Sequence, residues 1–151
     1  MSARDRLLNQ VLQMITSMPG TPPRISLRAG NAIDSYESHD VPYDPNIDKV
    51  TDTYLERYAF FGLPHLDTAS WACYLPWLLE YALRSLGSKS GNALVVDGLL
   101  WSLRLPQRVP PRFQSLTNEQ QALVRGVVEL LALSEESIHQ DLAAHTLDEL
   151  G

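Results

Sequence analysis

The chain has 151 residues, 44% of them hydrophobic and 20% charged, which suits one folded domain and is too apolar for disorder. A formal net charge of −6 argues against sequence-independent nucleic-acid binding and against an anionic membrane partner, since both need a basic face. A lone cysteine, Cys73, excludes an internal disulfide and a multi-cysteine zinc site.

The first element spans about Ala3 to Met18, where Leu7, Val11, Met14, Ile15 and Met18 share one helical face. Asn9, Gln10 and Gln13 interrupt its apolar run, so it reads as an amphipathic helix and not as a signal peptide. Pro19, Gly20, Pro22 and Pro23 stop it. Ser26 is positioned to cap a short helix from Leu27 toward Tyr36. Asp44-Pro45 is a helix-start signal, followed at helical spacing by Ile47, Val50, Tyr54, Tyr58 and Phe61. Gly62 and Pro64 end that element. Asp67 or Thr68 caps the most apolar segment, Trp71 to Leu86, in which Pro76 should either kink the helix or begin a second one.

Ala93 to Leu105 fits a short helix better than a buried strand, because Asp97 and Gly98 interrupt the valines and leucines. Pro106, Pro110 and Pro111 impose an extended connector. Thr117 and Gln120 make a capping box ahead of Leu123, Val124, Val127, Val128 and Leu131. Ser134 is expected to cap a last helix to about Leu150, with Ile138, Leu142 and Leu147 facing inward. The expectation is one all-α domain over residues 1–151, an irregular bundle of five to seven helices. No stretch approaches the roughly 20 apolar residues that span a bilayer, and a cytoplasmic setting is expected.

Three short motifs carry a family resemblance: Tyr74-Leu75-Pro76 opening an apolar helix, Leu103-Arg104-Leu105-Pro106, and Arg112-Phe113-x-Ser115-Leu116-Thr117-x-Glu119-Gln120. Over roughly Tyr36 to Leu133 the chain resembles a family of small, mostly helical bacterial proteins of unknown function. The resemblance supports the fold and carries no activity to any position.

Asp44, Asp48, Asp52 and Glu56 follow one another at i, i+4 in the third element. On one continuous helix they would form a stripe, with Lys49 the only positive charge between Asp34 and Glu56. Like charges at that spacing oppose helix formation, so the stripe suggests a face for a basic partner. The plain alternative is a solvated face, or one neutralised by Arg104, Arg108 and Arg112. Those arginines could also clamp a phosphate or carboxylate. Trp71, Tyr74, Trp77 and Tyr81, joined by Trp101 and Arg104, either fill the core or line a ligand pocket.

Of the histidines, His39, His65, His139 and His145, His65 lies near Asp67 and His139 is i+4 from Glu135, but no His-x-x-x-His pair exists for a metal. Cys73 sits among apolar residues that would raise its pKa and leave it inert. No cofactor, metal or catalytic residue is therefore expected. The leading functional expectation is a non-enzymatic interaction protein that meets a basic macromolecule through Asp44, Asp48, Asp52 and Glu56, an immunity-type protein being one form. The rival is a small-molecule-binding or enzymatic domain with a pocket of Trp71, Trp77, Trp101 and Arg104. A third is an oligomer subunit using the Leu123–Leu131 face as a seam.

Overall fold

A computed structural model describes residues 1–37, 40–87, 91–104 and 111–150. Among them are seven α-helices and no strand: α1 Ala3–Thr16, α2 Leu27–Asp34, α3 Asp52–Gly62, α4 Thr68–Ser85, α5 Ala93–Leu103, α6 Asn118–Leu133 and α7 Gln140–Leu150. Single 3-10 turns at Leu63–His65 and Phe113–Ser115 precede α4 and α6. The all-α expectation holds.

Helix α4 is the centre of the bundle. Trp71, Leu75, Leu78 and Ala82 line one stripe and Leu79 and Leu83 an adjacent one, all fully buried. Two neighbouring stripes make a face wide enough to receive α1, α5 and α6 together. Pro76 lies inside this helix, which neither restarts nor ends there. Proline has no N–H to donate and normally costs an interior helix about 3 kcal/mol. Burial of ten residues along α4 offsets that loss.

The short helix α2 has its first turn inside the protein, where bare N–H groups would be costly. Each one finds an acceptor. Leu27 N donates to the Tyr74 hydroxyl and Arg28 N to the Tyr54 hydroxyl, both at 3.2 Å. Ala29 N donates to Ser26 Oγ and Gly30 N to Ser26 O. Against α3, α2 packs through glycine on glycine. A Cβ built on Gly30 falls inside contact distance of the Gly62 carbonyl, and one on Gly62 falls inside that of Leu27 O. Backbone therefore touches backbone where these two helices cross.

The capping box at Thr117 and Gln120 forms with both of its hydrogen bonds. Behind it Leu123, Val124, Val127, Val128 and Leu131 are buried in the chain's own core. That face is occupied, so the expected oligomer seam on it is corrected. Three residues expected inside are outside: Ile47, Phe61 and Ile138 are each at least half exposed. Ile138 misses the core because Ser134 closes α6 instead of opening α7, its N–H bonding back to Leu130 O. Residues 134–139 then form a turn in which Ser134 Oγ accepts from Glu136 N and Ser137 Oγ from His139 N.

Alanine is ordinarily preferred to glycine inside a helix by up to about 1 kcal/mol. At Gly30 and Gly62 the sign should reverse. Gly30→Ala and Gly62→Ala should each destabilise the fold by about 2–3 kcal/mol, read from urea midpoints, because the added methyl meets backbone that cannot rotate away.

Candidate functional site

The four acids of the proposed stripe do not lie on one helix. Asp44 opens a single turn instead: its Oδ1 accepts from Asn46 N and Ile47 N, and its carbonyl accepts from Asp48 N at 2.7 Å. The chain then extends, and α3 starts afresh at Thr51, whose hydroxyl accepts from Tyr54 N. Only Asp52 and Glu56 of the four are in α3.

Their surroundings differ as much as their positions. Asp48 is 1% exposed. Arg28 grips it with two bonds of 3.1 and 3.0 Å, the Tyr54 hydroxyl donates to it at 2.7 Å, and Asp44 N donates at 2.8 Å. Burial alone would raise the Asp48 carboxyl, but the Arg28, Asp44 and Tyr54 hydrogen bonds outweigh it and hold the group below the usual carboxylate range. Burial and the neighbouring Tyr74 push the Tyr54 phenol far above its ordinary value, so it stays a donor. Asp52 is paired bidentately with Arg84 at 2.7 and 3.1 Å. Glu56 accepts from the Tyr81 hydroxyl at 2.7 Å. The premise of a continuous, uncompensated stripe is corrected: Asp48, Asp52 and Glu56 find partners on α2 and α4 of the same molecule, and Asp44 caps its own turn.

The aromatic pocket is corrected in the same way. Trp71 is fully buried, with Nε1 donating to Ser102 Oγ at 3.0 Å. Trp77 packs half-buried on the core. Trp101, 50% exposed, lies outside it, stacked under the Arg104 guanidinium at 4.5 Å. Glu149 holds that guanidinium with bonds of 2.8 and 3.0 Å. Trp71, Trp77 and Trp101 therefore do not enclose a common space. Arg112 is buried too, donating to Leu63 O and Leu66 O at 2.7 and 2.9 Å. Arg108 and His39 lie outside the described residues.

The histidines find acids that sequence spacing does not indicate. His65 meets Asp34 at 3.0 Å, and buried His139 meets Asp97 at 2.8 Å, tying the turn ahead of α7 to α5. Among the described residues no three His, Cys, Asp or Glu side chains converge on a point where a metal could sit. Burial, with the Asp67 charge behind it, pushes the Cys73 thiol up.

A second group of acids lies on α6, the 134–139 turn and α7, one that helical spacing passes over. No lysine or arginine follows Arg125, while six carboxylates do: Glu129, Glu135, Glu136, Asp141, Asp148 and Glu149. Arg104 engages Glu149. The other five are exposed, and no ion pair of the described residues reaches them. Within this edge stand Leu133 at 73% and Ile138 at 80% exposure, the most exposed leucine and isoleucine among the described residues. Glu129 and Leu133 are i, i+4 on the outer side of α6, and Glu135 and Ile138 flank the turn beyond it. A count of charges along the chain would have located it.

The chain belongs to a family of unknown function, DUF6714, whose model matches residues 3–150. Comparison with curated proteins and with solved structures gives no match.

The two kinds of acid predict opposite responses. Asp48→Asn should cost about 2–3 kcal/mol in urea unfolding, since it leaves a partly buried arginine without its charge partner. Asp52→Asn, losing an exposed pair, should cost no more than about 1 kcal/mol. Asp48 also sets an acid limit. Its folded-state pKa is depressed, so the unfolded chain takes up the proton first, near pH 3.9. Its contribution is complete above that pH and fades as the pH falls below it. The acid-side loss of stability should therefore be shallower in Asp48→Asn than in the wild type, measured as urea midpoints between neutral and acid pH.

Proposed function

We propose that this protein is a non-enzymatic binding partner of a basic protein, engaged through the acidic edge formed by α6, the 134–139 turn and α7. One observation carries the reading. The six carboxylates after Arg125 equal the whole formal net charge of −6, because the preceding 125 residues hold twelve acidic and twelve basic side chains. The charge of the molecule is thus partitioned, not spread.

The chemistry of such a surface is the usual division of labour at an interface. Glu129, Glu135 and Asp141 would steer a cationic partner and raise its association rate. Leu133 and Ile138 would supply the apolar anchors, each contributing up to about 1.5–3 kcal/mol if fully covered. An acidic surface of this kind suits an immunity-type protein that neutralises a basic toxin. A lone, half-buried cysteine supports a reducing, cytoplasmic setting, and so does the lack of any membrane-length apolar helix among the described residues. The resemblance to small bacterial proteins supports a bacterial host.

The test is affinity capture from the native host with three baits: wild type, Glu129→Lys with Glu135→Lys, and Asp52→Lys. The wild type and Asp52→Lys should recover the same basic protein, released by raised salt, and the α6–α7 double variant should not. Equal recovery by the double variant, or a recovered partner without a basic face, would falsify the proposal. Against the purified partner, Leu133→Ser should weaken binding by roughly tenfold or more without altering its salt dependence, as loss of one buried aliphatic anchor requires.

A further inference from the structure

A concave surface lies where the C-terminal end of α1, the Pro19–Arg24 segment and the first turns of α4 and α6 meet. The cleft has a volume of about 520 Å³, in the range that encloses most of a small organic molecule. Met14, Met18, Pro22, Ala69, Ala72 and Cys73 make its walls mostly apolar. Two charged residues line it, Asp67 and Arg24.

Asp67 is the amino-terminal cap of α4, with Oδ2 accepting from Ser70 N. Its other oxygen, Oδ1, is buried and accepts no hydrogen bond. The nearest cation is Arg24, whose Nε stands 4.0 Å away on a side chain that is 77% exposed. That separation is beyond hydrogen-bond reach, and the arginine is held by little else. Burial opposes the charge on Asp67, but the Ser70 hydrogen bonds and the Arg24 charge outweigh it, so the carboxylate is ionised at neutral pH. A desolvated anionic oxygen without a donor is a rare feature of a folded protein and calls for a physical explanation.

The geometry points to this cleft as the binding site of a small amphipathic amine, its apolar body against Met14, Met18, Pro22 and Ala72 and its ammonium pairing with the Asp67 carboxylate in place of Arg24. The carboxylate is an acceptor only, which selects a donor. Its charge and the apolar walls select a cation with little polar surface elsewhere and repel an anion. A primary ammonium is compact and carries three donors, so it can close on a carboxylate that the Arg24 fork approaches no nearer than 4.0 Å. Displacing Arg24 sacrifices no packing, because the side chain is already in water. Neutral Cys73 is part of the wall and takes no chemical role.

Amide NMR titration with 2-phenylethylammonium, 2-phenylethanol and 3-phenylpropanoate tests the assignment. The ammonium should give saturable shifts at Ala69, Ala72 and Cys73, the alcohol should bind about tenfold more weakly, and the carboxylate should not bind. Asp67→Asn and Asp67→Ser both keep a side chain that caps α4, and each should reduce ammonium binding to the level of the alcohol. Arg24→Ala should tighten it. Absent or non-saturable shifts with the ammonium, or equal affinity for the alcohol, overturn the site, and this comparison needs only the wild-type protein. Undiminished ammonium binding in a folded Asp67 variant, or weaker binding in Arg24→Ala, overturns Asp67 as its anchor.

Discussion

The buried carboxylate of Asp48 is the constraint around which the first half of the molecule is arranged. An ionised group removed from water must be surrounded by donors, and Asp48 draws them from three places in the sequence: the Arg28 guanidinium, the Asp44 N–H and the Tyr54 hydroxyl. The Tyr54 hydroxyl accepts from Arg28 N and donates to Asp48, so one phenol finishes the start of a helix and neutralises a charge. The 40–50 segment is fixed by the same cluster, with Arg28 also donating to Pro42 O. Once α2 is held there, Gly30 and Gly62 bring α3 against it, and α3 carries the 3-10 turn whose carbonyls receive Arg112. Each contact in that chain relies on the one before it for its geometry.

This cluster also explains which parts of the fold the sequence reveals. Signals that act within four residues are legible: Ser26, Asp67, and Thr117 with Gln120 all cap helices where local chemistry places them. Asp44-Pro45 is legible as well, since it does start a turn. The error enters with the assumption that the turn continues. Nothing between Pro45 and Gly62 is glycine or proline, so i, i+4 arithmetic carries Asp44 through Glu56 on one helix. The break comes from Asp48 turning inward to Arg28, a partner 20 residues away in sequence. Arg84 lies 32 residues from Asp52 and Tyr81 lies 25 from Glu56. Partners at such separations leave no periodic trace. The same holds for Trp71 and Trp101, whose opposite fates depend on which side of α5 faces α4.

Charge then behaves differently in the two parts of the chain. Up to Arg125 acids and bases balance, and the acids of α3 are drawn into bonds that cross from helix to helix. Such pairing restrains the relative positions of α2, α3 and α4. Beyond Arg125 the segment holds no lysine or arginine; Arg125 donates to the Leu150 carbonyl, and Arg104 reaches in from the end of α5 to take Glu149. That bridge has a second consequence: it draws Arg104 over the face of Trp101, so the half-exposed indole is covered on one side by a cation already committed to an acid.

Helix electrostatics sharpen the distinction. Asp141 sits in the first turn of α7, where the helix dipole favours it, but Asp148 and Glu149 sit in the last, where the dipole opposes them. Arg104 relieves Glu149 and leaves Asp148 in water. No lysine or arginine of α7 itself stands at that end, as Arg84 does in the last turn of α4; Arg125 of α6 reaches it instead, donating to Leu150 O at 3.1 Å. Screening limits the mutual repulsion of the exposed acids to a Debye length of about 8 Å at physiological salt, so the fold tolerates them at small cost. The same screening means that a cationic surface approaching within that distance meets a field that internal partners have not already satisfied. Around Asp48 the field is spent on holding the fold; along α6 and α7 it remains directed outward, next to Leu133 and Ile138.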